Sequence, residues 1–230
     1  MSNIIWNILV AVFGLLISIP MNALVKRFCH EERIFSEDFK KDMFFSTKMA
    51  LTISFILIIL FYVFGSSKQF FIYAFLSIIL VMDWFCDMEA QIIPNGLNMV
   101  GFLVGSIYMY SKLVFNMNEG IDLLLGMFVG GGIFSLIALF ALLVYRKEGM
   151  GLGDVKLMGM LGLFLGARNI FQVFVLSFFI GAVVSVVLLI SKVKKMDDYI
   201  PFGPFIVIAT LITMIFPYSF MLSCVEKLLS

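Results

Sequence analysis

Long runs of apolar residues, separated by short polar or charged joints, recur along the whole of this 230-residue chain. A helix that crosses the hydrocarbon core of a bilayer needs ~20 mainly apolar residues. About eight segments approach or reach that length: residues 4–24, 49–66, 70–88, 96–115, 121–145, 154–167, 170–192 and 203–222. We therefore expect an all-α polytopic membrane protein with about eight transmembrane helices.

The composition excludes the common soluble classes. Hydrophobic residues make up 62% of the chain and charged residues only 13%, whereas soluble domains are roughly half apolar and a quarter charged. A formal net charge of +1 indicates no nucleic-acid partner. The three cysteines form no CxxC pair, and His30 has no neighbouring ligand types, so we expect neither a disulfide framework nor a metal site.

The Lys and Arg residues indicate how the chain is oriented. When the eight segments alternate across the bilayer, one set of loops carries twelve of these residues and the other carries four. The positive-inside rule places the first set in the cytoplasm and both chain ends outside. We expect one domain over residues 1–230 with a short cytoplasmic loop at 25–48. Within that loop, residues 36–44 suit either an interfacial helix or an irregular connector.

Pairs of glycines four residues apart occur in three of the apolar segments. They are Gly101 and Gly105, Gly126 and Gly130, and Gly162 and Gly166. Small residues at this spacing let helix backbones approach closely in lipid. The pairs predict tight helix packing within the chain.

Three carboxylates, Asp83, Asp87 and Asp154, fall within or beside apolar segments. A charged side chain at membrane depth is costly and usually functional. Asp83 and Asp87 are four residues apart, so they share one face of a helix. Pro94 cannot continue that helix, and Asn95 can cap the next one. Asp87 therefore lies just before a helix break, where a polar cavity can open.

Asp154 follows three glycines, at positions 149, 151 and 153, and precedes Lys156. An extended peptide can lie against such a backbone without steric conflict. Two carboxylates from separate helices are the minimum set for aspartic proteolysis: the pair shares one proton, so one group can activate water while the other polarises the scissile carbonyl. Two intramembrane carboxylates equally suit a proton- or cation-coupled transporter, and the residues alone leave both functions open.

The order of these residues resembles the type IV prepilin peptidases, which are GxGD-type membrane aspartic peptidases. Asp87, seven residues before Pro94, resembles the first catalytic block of that family, and residues 149–157 resemble the second. Residues 14–22 and 201–204 agree as well. The resemblance implies that Asp87 and Asp154 are catalytic. We expect supporting or substrate-binding roles for Gly151, Gly153, Lys156, Pro94, Asn95 and, outside the matched pattern, Asp83.

The resemblance also implies a substrate and a location. The substrate would be a prepilin or pseudopilin whose short basic leader is cut after a glycine at the cytoplasmic membrane face, for type IV pili, type II secretion or competence. The resemblance implies that cleavage of this substrate needs no cofactor. Many bacterial members also methylate the new N-terminus with S-adenosylmethionine and carry two CxxC pairs in a longer first loop. Here residues 25–48 contain only Cys29, so methyl transfer stays open.

Overall fold

The computed structural model describes residues 10, 12–18, 20–21, 25, 47–145, 151–193, 195 and 200–229. Regular secondary structure in these ranges is helical throughout, which confirms the predicted all-α class. The chain forms two compact units, Met1–Pro94 and Asn95–Ser230, and each is described by itself. The single domain over residues 1–230 stays a prediction. The interfacial helix considered for residues 36–44 lies outside the described residues.

The first unit contains α1 (Thr47–Phe64) and α2 (Lys68–Ala90), together with a helical stretch at residues 12–18. A tight turn joins α1 to α2. In it Gly65 takes a left-handed conformation with φ of 58°, and the side chain of Ser67 caps α2 by accepting a hydrogen bond from the backbone N–H of Phe70 at 3.2 Å. A serine at this position satisfies one of the free N–H groups that begin a helix.

The second unit contains six described helices. They are α3 (Asn95–Phe115), α4 (Met117–Tyr145), α5 (Leu152–Leu165), α6 (Ala167–Ile190), α7 (Gly203–Ile215) and α8 (Tyr218–Leu229). Within the described ranges four helices, α2, α3, α4 and α6, are long and apolar enough to cross a membrane. These four support a polytopic membrane protein. The total of eight spans and the outside location of both chain ends stay predictions.

The prediction of a single helix over residues 203–222 is wrong, because the helix is interrupted between α7 and α8. Pro217 lacks the N–H that a continuous helix needs. Side chains of α6 satisfy the backbone at the break: Gln172 Nε2 donates to the Phe216 carbonyl at 2.9 Å, and Asn169 Oδ1 accepts from the Tyr218 N–H at 3.0 Å. Residues 203–222 therefore form two helices that are tied to the start of α6.

Glycines bring α4 and α5 into backbone contact. Gly126 of α4 faces Gly162 of α5, and a Cβ on either residue would overlap the backbone of the other helix. On α3, Gly101 and Gly105 leave room for side chains of α5; a Cβ on Gly105 would lie 2.9 Å from Phe164 Cε2. The close packing predicted from the glycine pairs is confirmed within this unit.

The same contacts give the direction of the helices. Gly101 and Gly105 face Met160 and Phe164 in order, so α3 and α5 run parallel. Along α4 the order is reversed, since Gly126 faces Gly162 while Gly130 faces Met158. The first residues of α3 and α5 therefore lie at the same end of the second unit.

Candidate functional site

Asp87 lies in the last turn of α2, with Asp83 one turn earlier on the same face. Both residues are buried, with exposed fractions of 4% and 1%. Gln91 follows the helix in a left-handed conformation with φ of 56°, and its N–H donates to the Asp87 carbonyl at 3.0 Å. The next three residues are not helical, and α3 begins at Asn95. The helix break predicted after Asp87 is confirmed.

Asp154 lies in the first turn of α5 and is 6% exposed. Its N–H donates to the carbonyl of Gly151 at 3.1 Å. Gly151 is extended and exposed, and a Cβ there would lie 3.5 Å from Asp154 Oδ2. The carboxylate thus lies directly beside an exposed backbone that carries no side chain. Because the first N–H groups of a helix bear partial positive charge, this position favours an anion.

Lys156 is tied to the start of α3. Its Nζ donates to Asn95 Oδ1 at 2.7 Å, and both side chains are exposed. The bond joins the residue that follows Pro94 to the residue two positions after Asp154. The sequence predicted supporting roles for Asn95 and Lys156 separately and gave no sign that they contact each other, because the register of α3 against α5 is set by glycine packing farther along both helices.

The candidate residues divide between the two units. The first unit holds Asp83, Asp87 and Pro94, whereas the second holds Asn95, Gly151, Gly153, Asp154 and Lys156. The structure brings the second group together where α3 and α5 begin. Gly153 is partly exposed there, and Pro94 is buried in the first unit. The pairing of Asp87 with Asp154 stays a prediction, and Gly149 lies outside the described residues.

The described ranges offer no group of side chains for a metal ion, and an apolar pocket in the first unit does not suit S-adenosylmethionine. These ranges contain no set of three or more His, Cys, Asp or Glu residues that could hold a metal ion. A pocket of about 510 Å³ in the first unit is lined by Val10, Phe13 and Ile17 together with residues of α1 and α2, and its lining is apolar apart from Ser66. The charged amino-acid part and the adenine of S-adenosylmethionine need polar partners. The pocket does not fit that cofactor.

Comparison with known proteins identifies relatives. A model of the type IV leader peptidase family matches residues 70–186, about half of the chain. A prepilin leader peptidase/N-methyltransferase from Stutzerimonas stutzeri is 34% identical over 128 residues, which cover 54% of this chain and 42% of that protein. The protein of the same name from Aeromonas hydrophila is 31% identical over 145 residues, covering 61% of this chain and 47% of the relative.

A prepilin leader peptidase/N-methyltransferase from Legionella pneumophila is 31% identical over 152 residues, covering 66% of this chain and 52% of the relative. The chain therefore spans about half the length of the curated relatives it matches. No solved structure matches it significantly.

Proposed function

Because this chain belongs to the type IV leader peptidase family, we propose that it is a membrane aspartic endopeptidase that removes the leader from prepilins or pseudopilins. The observation that carries the proposal is the position of Asp154, a buried carboxylate beside the exposed backbone of Gly151. The relatives named above support the same reaction, since their names include prepilin leader peptidase. None of the matches named above supports a proton- or cation-coupled transporter.

We assign catalysis to Asp87 and Asp154 acting as a pair. Two carboxyl groups that share one proton present one base and one acid. The ionised group takes a proton from water, and the water oxygen attacks the scissile carbonyl carbon. The protonated group donates its proton to the carbonyl oxygen, which gives a neutral tetrahedral intermediate. Collapse of this intermediate breaks the C–N bond: the carboxyl group that took the proton from water passes it to the leaving amine, and the other carboxylate takes a proton from a hydroxyl of the intermediate, which restores the pair.

The substrate would lie along the start of α5. An extended leader segment can approach Gly151 and Gly153 because neither residue has a side chain. Lys156, held by Asn95, would orient the peptide, and Asp83 would keep the environment of Asp87 polar. The substrate class is a chain with a short basic leader followed by an apolar helix, which can remain in the bilayer while the junction is cut.

The proposed location is the cytoplasmic face of the cell membrane. Its support is the distribution of Lys and Arg, twelve against four across the two sets of predicted loops. In this topology Asp87 and Asp154 lie at the cytoplasmic ends of their helices and both chain ends lie outside. The partners are then the substrate protein and the lipid bilayer.

Methyl transfer is a separate matter. The names of the relatives include N-methyltransferase, and S-adenosylmethionine is the methyl donor that the family resemblance implies. The apolar pocket described above does not fit that cofactor, and we derive no methyl-transfer step from the described residues.

The proposal is tested with the purified protein in lipid vesicles and a prepilin carrying its leader. We expect mass spectrometry to show one cut after the glycine at the leader junction. The same vesicles, loaded with a pH indicator, report proton flux. Flux across the membrane without any cleavage product would contradict the peptidase and favour the transporter.

A further inference from the structure

Asn98 of α3 is a buried amide whose side-chain atoms have no hydrogen-bond partner among the described residues. Its exposed fraction is 2%. Neither Nδ2 nor Oδ1 forms a hydrogen bond within the part of the chain that the structure describes. Buried polar side chains almost always have a partner, and each exception calls for an explanation. A primary amide offers both a donor and an acceptor, so its missing partner should offer both as well.

Asn98 lies on the face of α3 that contacts α5. At ~100° per residue it is within about 60° of Gly101 and about 20° of Gly105 around the helix, and both glycines face side chains of α5. Along the axis Asn98 falls between the Asn95–Lys156 hydrogen bond and the contact of Gly101 with Met160. It is therefore ~4.5 Å deeper than Asn95, one turn inward from the end where Asp154 lies.

We propose that Asn98 is a substrate-binding residue whose amide pairs with a backbone peptide group of the substrate near the scissile bond. This inference rests on the peptidase function proposed above. An extended peptide backbone presents an N–H and a C=O, and these complement the two free groups of the Asn98 side chain. The amide is closed off from solvent in this structure, so a peptide that enters beside Gly151 would displace the side chains that cover Asn98 before it pairs with this amide.

Asn98 binds substrate and takes no part in proton transfer. Its hydrogen bonds form equally in the ground state and the transition state, so their loss raises KM and leaves kcat largely unchanged. A purely structural role, such as holding one buried water, predicts a different result: the unfolding temperature changes while KM does not.

The test compares three variants in lipid vesicles with a prepilin substrate. Asn98→Leu removes both polar groups at similar volume, and Asn98→Ser retains one donor and its acceptors. Thr213→Val is the matched control, because Thr213 Oγ1 is also buried without a partner in the described chain. Thr213 lies near the end of α7, at the opposite end of the unit from Asp154. Kinetics and thermal unfolding are measured for each.

We expect Asn98→Leu to raise KM roughly ten- to hundredfold, as for the loss of two ordinary hydrogen bonds. Asn98→Ser should fall between this variant and the wild type, and Thr213→Val should match the wild type. If Asn98→Leu does not fold, the KM of Asn98→Ser decides whether Asn98 binds substrate. An unchanged KM in the folded Asn98 variants, or an equal rise in Thr213→Val, overturns the inference while wild-type cleavage stands. Absence of cleavage by the wild type instead contradicts the proposed function.

Discussion

Lys156 Nζ and Asn95 Oδ1 form a 2.7 Å hydrogen bond that joins the two motif blocks of this chain. Asn95 opens α3 directly after Pro94, and Lys156 follows Asp154 in α5. The bond fixes the ammonium group close to where the substrate backbone is proposed to lie.

Asn95→Ala and Lys156→Met should therefore each lower kcat/KM for leader cleavage by roughly three- to tenfold, the range for one ordinary hydrogen bond, because solvent exposure weakens the contribution of the charge. The double variant should lose little more than either single variant, because both changes remove the same contact. Steady-state kinetics of the three variants measure this coupling.

Lys112→Met is the control for that cycle. Lys112 Nζ lies 2.7 Å from Glu119 Oε2, an exposed pair of the same length at the α3–α4 turn. Its loss should leave kcat/KM within about twofold of the wild type, as expected for a surface ion pair remote from the site. Strictly additive losses in Asn95→Ala and Lys156→Met would show that the bond has no positioning role.

Gly162→Ala should destabilise the protein severely. A Cβ at this position would overlap the backbone of α4 at Gly126. A helix backbone cannot relieve this overlap by a rotamer change, as a side chain can. Overpacking of this kind costs about 1–3 kcal/mol or more. Gly132→Ala, in the same helix as Gly126, meets nothing within 4 Å. It should be neutral or slightly stabilising, because alanine favours helix by ~1 kcal/mol over glycine.

Thermal unfolding in detergent measures both glycine variants. Equal unfolding temperatures for Gly162→Ala and Gly132→Ala would contradict the backbone contact between α4 and α5.

Much of the fold follows from the sequence, because apolar length and the breaks at Gly and Pro are local properties. The end of α2 after Asp87 and the start of α3 at Asn95 follow from Pro94 alone. The break at Pro217 could have been predicted in the same way. The residues on both sides of it are apolar, so hydropathy alone predicts one continuous apolar segment over residues 203–222.

The candidate site is less accessible from the sequence. The resemblance points to Asp87 and Asp154, since each lies in a recognisable block. The contact of Asn95 with Lys156 depends on the register between α3 and α5, and so does the position of Asn98, whose amide is unpaired within the described ranges. That register is set by the glycines that face Met160 and Phe164, and no local pattern determines it.

Topology can be tested with single cysteines in a background without Cys29, Cys86 and Cys224. Leu152 at the start of α5 and Phe115 at the end of α3 are well exposed, at 72% and 89%. A membrane-impermeant thiol reagent should label Leu152→Cys from the cytoplasmic side and Phe115→Cys from the outside. The reverse pattern would contradict the proposed cytoplasmic active site.

Leader removal should be independent of S-adenosylmethionine, because neither carboxylate needs it for hydrolysis. We expect equal cleavage rates in vesicles with and without added cofactor. The mass of the mature N-terminus, measured in the same samples, reports separately whether a methyl group is added. A cleavage rate that rises with the cofactor would show that the two activities are linked in this chain.

If Asp87 and Asp154 carry out hydrolysis together, replacement of either residue by asparagine should stop leader cleavage. Leader cleavage of a co-expressed prepilin is measured by mass spectrometry, with membrane insertion checked for every variant. Asp87→Asn and Asp154→Asn should each lower the cleavage rate by at least about a hundredfold, and the double variant should be no worse than either. Asp83→Asn, one turn from Asp87, should stay within about tenfold of the wild type. Cleavage at the wild-type rate by either Asp87→Asn or Asp154→Asn would show that this pair does not carry out hydrolysis.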